Sequence, residues 1–145
     1  MAMEKLLQLH GHGYKGLCIY AAEIGRLDIL KWVYEKGCSL MWVSSLAARN
    51  GHLEIIQWIH ENGYFMDKRF CAHAAESGHL HILEWAHENG YSFGEIMSAM
   101  AAKSGNLHIL KWLREHNYPW DGWTCEKAAE NGHLHILQWA RENGC

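Results

Sequence analysis

Ala74 to Gly90, AAESGHLHILEWAHENG, is the stretch whose reading decides the fold of this 145-residue chain. It is one copy of a unit that recurs along the sequence. Paired alanines begin at Ala21, Ala47, Ala74, Ala101 and Ala128. A glycine stands four residues after each, at Gly25, Gly51, Gly78, Gly105 and Gly132, so the step is 26 or 27 residues. Trp32, Trp58, Trp85, Trp112 and Trp139 keep the same step. A fixed period of roughly 20–50 residues identifies a repeat solenoid, whose units bury their apolar faces only against their neighbours.

Working outward, the third copy reads as helix, glycine turn, helix, connector. Its first helix is expected over Lys68 to Ser77, with Asp67 as the cap; Asp121 has the same place in the fifth copy. Gly78 ends that helix in the left-handed conformation that glycine adopts without penalty. The second helix is expected over His79 to Glu88 and ends at Gly90, matched by Gly37, Gly63 and Gly144. The fourth copy has Asn117 there, the residue type that best tolerates positive φ after glycine. Pro119 follows by two residues, as a helix stop. At ~100° per residue, Leu80, Ile82, Leu83, Trp85 and Ala86 spread over roughly 220° of the second helix. A helix apolar that far round is buried between neighbours, which assigns the tryptophan column to the core between repeats rather than to an aromatic ligand cage. His81, Glu84, His87 and Glu88 form the polar stripe left over. The acids Glu35, Glu61, Glu88, Glu115 and Glu142 oppose the helix dipole and require a compensating partner.

The cores AARNGHLEII from Ala47 and AAENGHLHIL from Ala128 resemble the ankyrin repeat, and the resemblance covers about Gly16 to Cys145. The unit is about six residues shorter than the usual ~33. The T-P-L-H tetrapeptide that opens the usual first helix is absent, and Arg69-Phe70-Cys71-Ala72 stands in its place. The missing residues fall in the connector. Short, tryptophan-containing units of this kind are similar to those of large DNA viruses and single-celled eukaryotes. The expected fold class is therefore all-α, a right-handed, ankyrin-like helix–turn–helix repeat solenoid. Five repeats are expected at about 15–38, 39–64, 65–91, 92–118 and 119–145, in one domain. Residues 1–14 read as an N-terminal partial repeat, a truncated second helix in which Leu6, Leu7, Gln8 and Leu9 cover the open end of the first repeat.

Composition narrows the function. Net charge is −3 with both signs interspersed, so nonspecific nucleic-acid binding has no electrostatic support. No apolar run approaches the ~20 residues that cross a bilayer. The N-terminal MAMEKLLQLHGHGY lacks the apolar stretch of a signal peptide. The protein is read as intracellular, cytoplasmic or nuclear and not secreted, and as a monomer. Of the five cysteines, Cys18, Cys71 and Cys125 each stand three residues before an alanine pair, in a column shared with Ser44 and Ser98. Cys38 and Cys145 share a column with Tyr64, Tyr91 and Tyr118. With an odd count and no CxxC, buried, reduced thiols are the expected reading, and disulfide or metal use is the alternative.

Comparison of the repeats with one another locates a candidate site. Positions set by packing recur, whereas positions that meet a partner are free to vary. Three columns of the first helix vary most: Gly16, Trp42, Arg69, Ile96, Trp123; then Tyr20, Leu46, His73, Met100, Lys127; then Glu23, Arg49, Glu76, Lys103, Glu130. Their i, i+4, i+7 spacing puts them on one helix face. Trp42, Leu46, Ile96, Met100 and Trp123 are large apolar groups there, and exposed apolar surface marks a protein-binding site. The competing reading is burial of this face under the connector residues Phe65, Phe93 and Trp120. The candidate partner-binding residues are Tyr20, Trp42, Leu46, Arg49, Arg69, His73, Ile96, Met100, Lys103, Trp123 and Lys127. The resemblance implies that this face lines the concave groove. The third column alternates in sign, as a ladder of ion pairs between adjacent repeats would.

The twelve histidines suggest metal binding at first sight. His81, His108 and His135 form one column, and His52, His79 and His133 another. Stacked helices lie about 8–10 Å apart, whereas zinc ligands converge within ~2.0–2.1 Å of one ion, so a column does not share a metal. Turn contacts at helix starts account for His52, His79 and His133. No nucleophile, base and orienting acid fall into an arrangement, and the glycines are helix stops rather than a phosphate loop. No enzyme, cofactor or metal is expected. The function expected is protein–protein recognition by a partner-binding module. The alternative is a structural spacer, or a designed, consensus-like scaffold without a natural partner.

Overall fold

The computed structural model describes residues 13–145, and every regular element among them is α-helical. The partial capping helix expected at the N-terminus falls almost wholly outside the described residues. Ten helices follow one another: α1 Gly13–Ile24, α2 Leu27–Glu35, α3 Val43–Asn50, α4 Leu53–Glu61, α5 Phe70–Ser77, α6 Leu80–Glu88, α7 Glu95–Lys103, α8 Leu107–Glu115, α9 Gly122–Glu130 and α10 Leu134–Glu142. They form the five helix–turn–helix pairs read from the sequence. The chain makes two compact units, Met1–Phe70 and Cys71–Cys145. In the first, α1 packs on α2 and α3, and α3 on α4; in the second, α7 packs on α8 and α9, and α9 on α10.

The glycine turns work as expected. Gly51 has φ 81°, and the chain beyond it bonds back to α3: His52 N–H donates to the Ala47 carbonyl at 2.9 Å and Gly51 N–H to the Ala48 carbonyl at 3.3 Å. This pair of bonds satisfies two carbonyls that a helix end leaves open. Asn117, at φ 58°, is the only non-glycine residue with positive φ among those described, and it closes α8 in the same way. Asparagine adds a second device. Asn62, Asn89 and Asn143 donate from Nδ2 to the carbonyls of Trp58, Trp85 and Trp139, each at 2.8 Å, and His116 Nδ1 reaches the Trp112 carbonyl at 2.8 Å. The glutamates beside them have no such partner. All five are exposed and make no ion pair among the described residues. Solvent, rather than a compensating charge, keeps the cost of an exposed acid at a helix end below about 1 kcal/mol.

The histidine column at the start of the second helices does something other than local turn contact. His52 and His133 occupy N-cap positions, yet neither side chain caps its own helix. Each reaches back to the preceding repeat: His52 Nε2 bonds the Glu23 carbonyl and His133 Nε2 the Lys103 carbonyl, both at 2.9 Å. Asn106 fills the column in the fourth repeat and donates to the Ala75 carbonyl at 2.9 Å. The free carbonyls at the end of one repeat's first helix are thus satisfied by the next repeat. This sets the tolerance of the turn glycines. A Cβ on Gly105 would meet the His133 ring at 2.9 Å, whereas a Cβ on Gly132 meets nothing within 4 Å. Both residues have positive φ, 81° and 74°. Gly132→Ala is expected to cost about 1 kcal/mol for its backbone alone. Gly105→Ala is expected to cost about 2 kcal/mol, because it also displaces a hydrogen-bonded ring. Urea melts of the two variants compare them, and equal losses would refute the bridging role of His133.

The buried part of the second helices is narrower than periodicity suggests. Ile55, Ile56, Ile59, Ile82, Leu83, Ala86, Ile109, Leu110 and Leu113 have no exposed surface. Leu53, Leu80 and Leu107 are only half-buried, as are Trp32, Trp58, Trp85 and Trp139. The tryptophans lie at the rim of the core, against aromatic rings of their own and adjacent repeats. Tyr34 meets the Trp58 ring at 5.8 Å and Tyr64 at 4.7 Å; His87 meets Trp112 at 5.7 Å. A large ring at the rim keeps its edge in water while its face covers the aliphatic interior.

The cysteines also differ from expectation. Cys18 is joined to Cys38 and Cys125 to Cys145, with Cα atoms 6.6 Å and 6.5 Å apart; Cys71 alone is free, and it is buried. Both pairs unite the two cysteine columns within one repeat, a combination that only the first and fifth repeats contain.

Candidate functional site

The first helix of each of the first four repeats buries its alanine pair and turns the opposite side outward; in the fifth, Ala128 is buried and Ala129 exposed. Ala21, Ala22, Ala47, Ala48, Ala74, Ala75, Ala101 and Ala102 are fully buried. Small side chains let the helices approach closely, so the residues across the helix axis from them are left at the surface. Trp42, Ile96 and Trp123, all in the first variable column, are 47, 45 and 39% exposed. The second column lies lower: Tyr20 is exposed, while Leu46, His73, Met100 and Lys127 are half-buried. In the third column Arg49 and Lys103 are exposed. The connectors do not cover this face. Phe93 is buried against Tyr118, with ring centres 4.7 Å apart, and Phe65 is exposed. Trp120 lies under the Arg114 guanidinium at 4.4 Å and beside Trp139 at 5.7 Å.

In the first unit the face is built around Trp42 and Arg69. The Arg69 guanidinium lies 5.0 Å from the Trp42 ring centre, and Asp67 holds it there. Asp67 is buried and accepts from Ser45 Oγ at 2.6 Å, from Arg69 N at 3.1 Å, and from Arg69 Nε and Nη2 at 3.3 Å. Its own N–H donates to Ser44 Oγ at 3.0 Å. Burial raises the carboxyl pKa, but the Ser45 hydroxyl and the Arg69 amide and guanidinium outweigh it, and the net shift is downward. The carboxylate therefore stays ionised and keeps both the connector and Arg69 in place. Sequence reading expected Asp67 to cap a helix from Lys68; the helix starts at Phe70, and Asp67 instead organises the turn before it together with the paired serines of the preceding repeat.

In the second unit the face carries Ile96, Met100 and Lys103 on α7 and Trp123 and Lys127 on α9. Lys103 bridges to Glu76 at 2.8 Å, one rung of the expected charge ladder. His73 Nδ1 lies 3.9 Å from the same carboxylate. The next rung is replaced, because Glu130 pairs with Lys127 on its own helix at 2.6 Å. Lys127 Nζ also lies 5.7 Å from the Trp123 ring centre. Asp121 caps α9 by accepting from Trp123 N–H at 3.0 Å, which sets the base of the tryptophan. Each unit thus offers a tryptophan ring with a cation over it. Two concavities lie away from these residues, one of ≈ 440 Å³ at the turns of Gly25 and Gly51, another of ≈ 430 Å³ between Lys111, Arg114 and Trp139. No three His, Cys, Asp or Glu side chains converge on a point among the described residues. No helix among them is long and apolar enough to cross a membrane.

Residues 71–114 and 98–141 match the family model of ankyrin repeats in many copies. No curated protein matches the chain at a significant level.

Proposed function

Because this chain belongs to the ankyrin-repeat family, whose members are generally protein–protein interaction modules, we propose that it recognises a protein partner through the outward face of its first helices. The observation that carries this reading is the exposure of Trp42, Ile96 and Trp123 at one repeat position. Large apolar groups in water cost free energy unless something covers them, and tryptophan and arginine dominate binding hot spots. Arg69 over Trp42 and Lys127 over Trp123 would leave water with those rings when a partner docks. In the first unit the proposed face also takes in Tyr20, Arg49 and the half-buried Leu46, and in the second His73, Lys103 and the half-buried Met100. In this proposal the chain is an intracellular, monomeric and non-enzymatic module without a cofactor.

The test is capture from cell lysate by the wild-type chain, followed by titration of the captured protein against Trp42→Glu, Ile96→Glu and Trp123→Glu combined. The expected loss of affinity is about 100-fold or more. The thermal midpoint should stay within about 2 °C, because these side chains are not needed for packing. If no protein binds, or the triple variant binds as well as the wild type, the face is not the site and a scaffold role gains weight. A large fall in the midpoint would place these residues in the core instead.

A further inference from the structure

Cysteine pairing follows the repeat, and this carries an inference beyond binding. In the first repeat the residue three before the alanine pair and the residue after the closing glycine are Cys18 and Cys38; in the fifth they are Cys125 and Cys145. Both pairs are separated by 20 residues, with Cα atoms 6.6 and 6.5 Å apart. Those separations lie within the roughly 4.4–6.8 Å that a disulfide spans without backbone movement. The helix–turn–helix hairpin itself brings the two positions together. The second repeat places Ser44 and Tyr64 there, the fourth Ser98 and Tyr118, and the third Cys71 and Tyr91.

We propose that Cys18–Cys38 and Cys125–Cys145 are two reversible redox staples, each locking one helix–turn–helix repeat, closed by exchange with a low-molecular-weight disulfide of the glutathione class. One cysteine thiolate attacks a sulfur of the small disulfide, forming a mixed disulfide and expelling a small thiolate. The second cysteine thiolate then attacks the protein sulfur of the mixed disulfide and expels the other small thiolate. The two protons lost by the cysteines go to the expelled thiolates, so the protein pair loses two electrons and the small disulfide gains them. Each bond closes a hairpin from its first helix to the residue after the glycine that ends its second. Cys71 stays out of the exchange. Its own repeat places Tyr91, not a second cysteine, at the position after the closing glycine, so it has no partner within the hairpin. One staple lies in each compact unit.

The test equilibrates the full chain in reduced and in oxidised glutathione, quenches with acid, and labels free thiols with N-ethylmaleimide after denaturation. Five labels are expected in the reduced arm. In the oxidised arm a single label is expected, on Cys71, with peptide mapping returning the two pairs within repeats. The oxidised arm should melt higher by roughly 5–10 °C. Cys38→Ser with Cys145→Ser should abolish that difference, and Cys71→Ala should keep it. Tyr91→Cys should add a third pair, with Cys71. Five labels in both arms, bonds that include Cys71 or join two chains, or equal midpoints in the two arms would each overturn the proposal.

Discussion

Leu110→Ala is expected to lower stability by about 4 kcal/mol, and Leu107→Ala, nearly one turn earlier on α8, by only about 1 kcal/mol. The sequence offers no distinction between them. Both are leucines on the apolar arc, and both columns recur in other repeats. The structure separates them. Leu110 has no exposed surface, with Ile109 and Leu113 equally buried beside it, whereas Leu107 is half-buried. Truncating Leu110 removes apolar area and leaves a cavity that packed helices refill only in part. Truncating Leu107 leaves a notch that water fills. Urea denaturation at neutral pH measures both. Similar losses would mean that the wide apolar arc, not its narrow buried part, carries the packing.

The second large effect is expected at Asp67. Asp67→Ala should cost about 3 kcal/mol at neutral pH, because it leaves the Ser45 hydroxyl and the Arg69 groups without their buried acceptor. Asp67→Asn should cost less, since an amide oxygen still accepts from Arg69 N–H. The effect has a pH signature. The folded carboxyl pKa is depressed, so its contribution is present above the ordinary aspartate value of ~3.9 and is lost as pH falls through the lower folded value. Melts of wild type and Asp67→Ala should therefore differ strongly at pH 7 and converge well below pH 4. A difference that persists unchanged in acid would show that Asp67 acts by shape rather than charge.

The helix–turn–helix repeats were legible because they depend on short-range chemistry repeated five times. Alanine pairs, glycines with positive φ and apolar runs act within a few residues, and repetition removes the ambiguity of any one copy. Asn117 shows how far this reaches: its substitution for glycine predicted positive φ, and φ is 58°. The boundary of α5 was less legible. Lys68 and Arg69 lie in the turn that Asp67 organises, so the helix starts at Phe70.

Sequence by itself determined the repeat unit, its turns and the small inner side of each first helix. These follow from steric and hydrogen-bonding rules that act within one unit. Only the tertiary structure decided what the recurring polar columns do. His52 and His133 bond carbonyls of the preceding repeat rather than their own helix starts. Likewise, whether Cys18 and Cys38 are neighbours, or Leu107 differs from Leu110, depends on which surfaces meet. Residue spacing gives the direction in which a side chain leaves its helix, but burial and pairing depend on the element packed against it, often some 30 residues away in sequence.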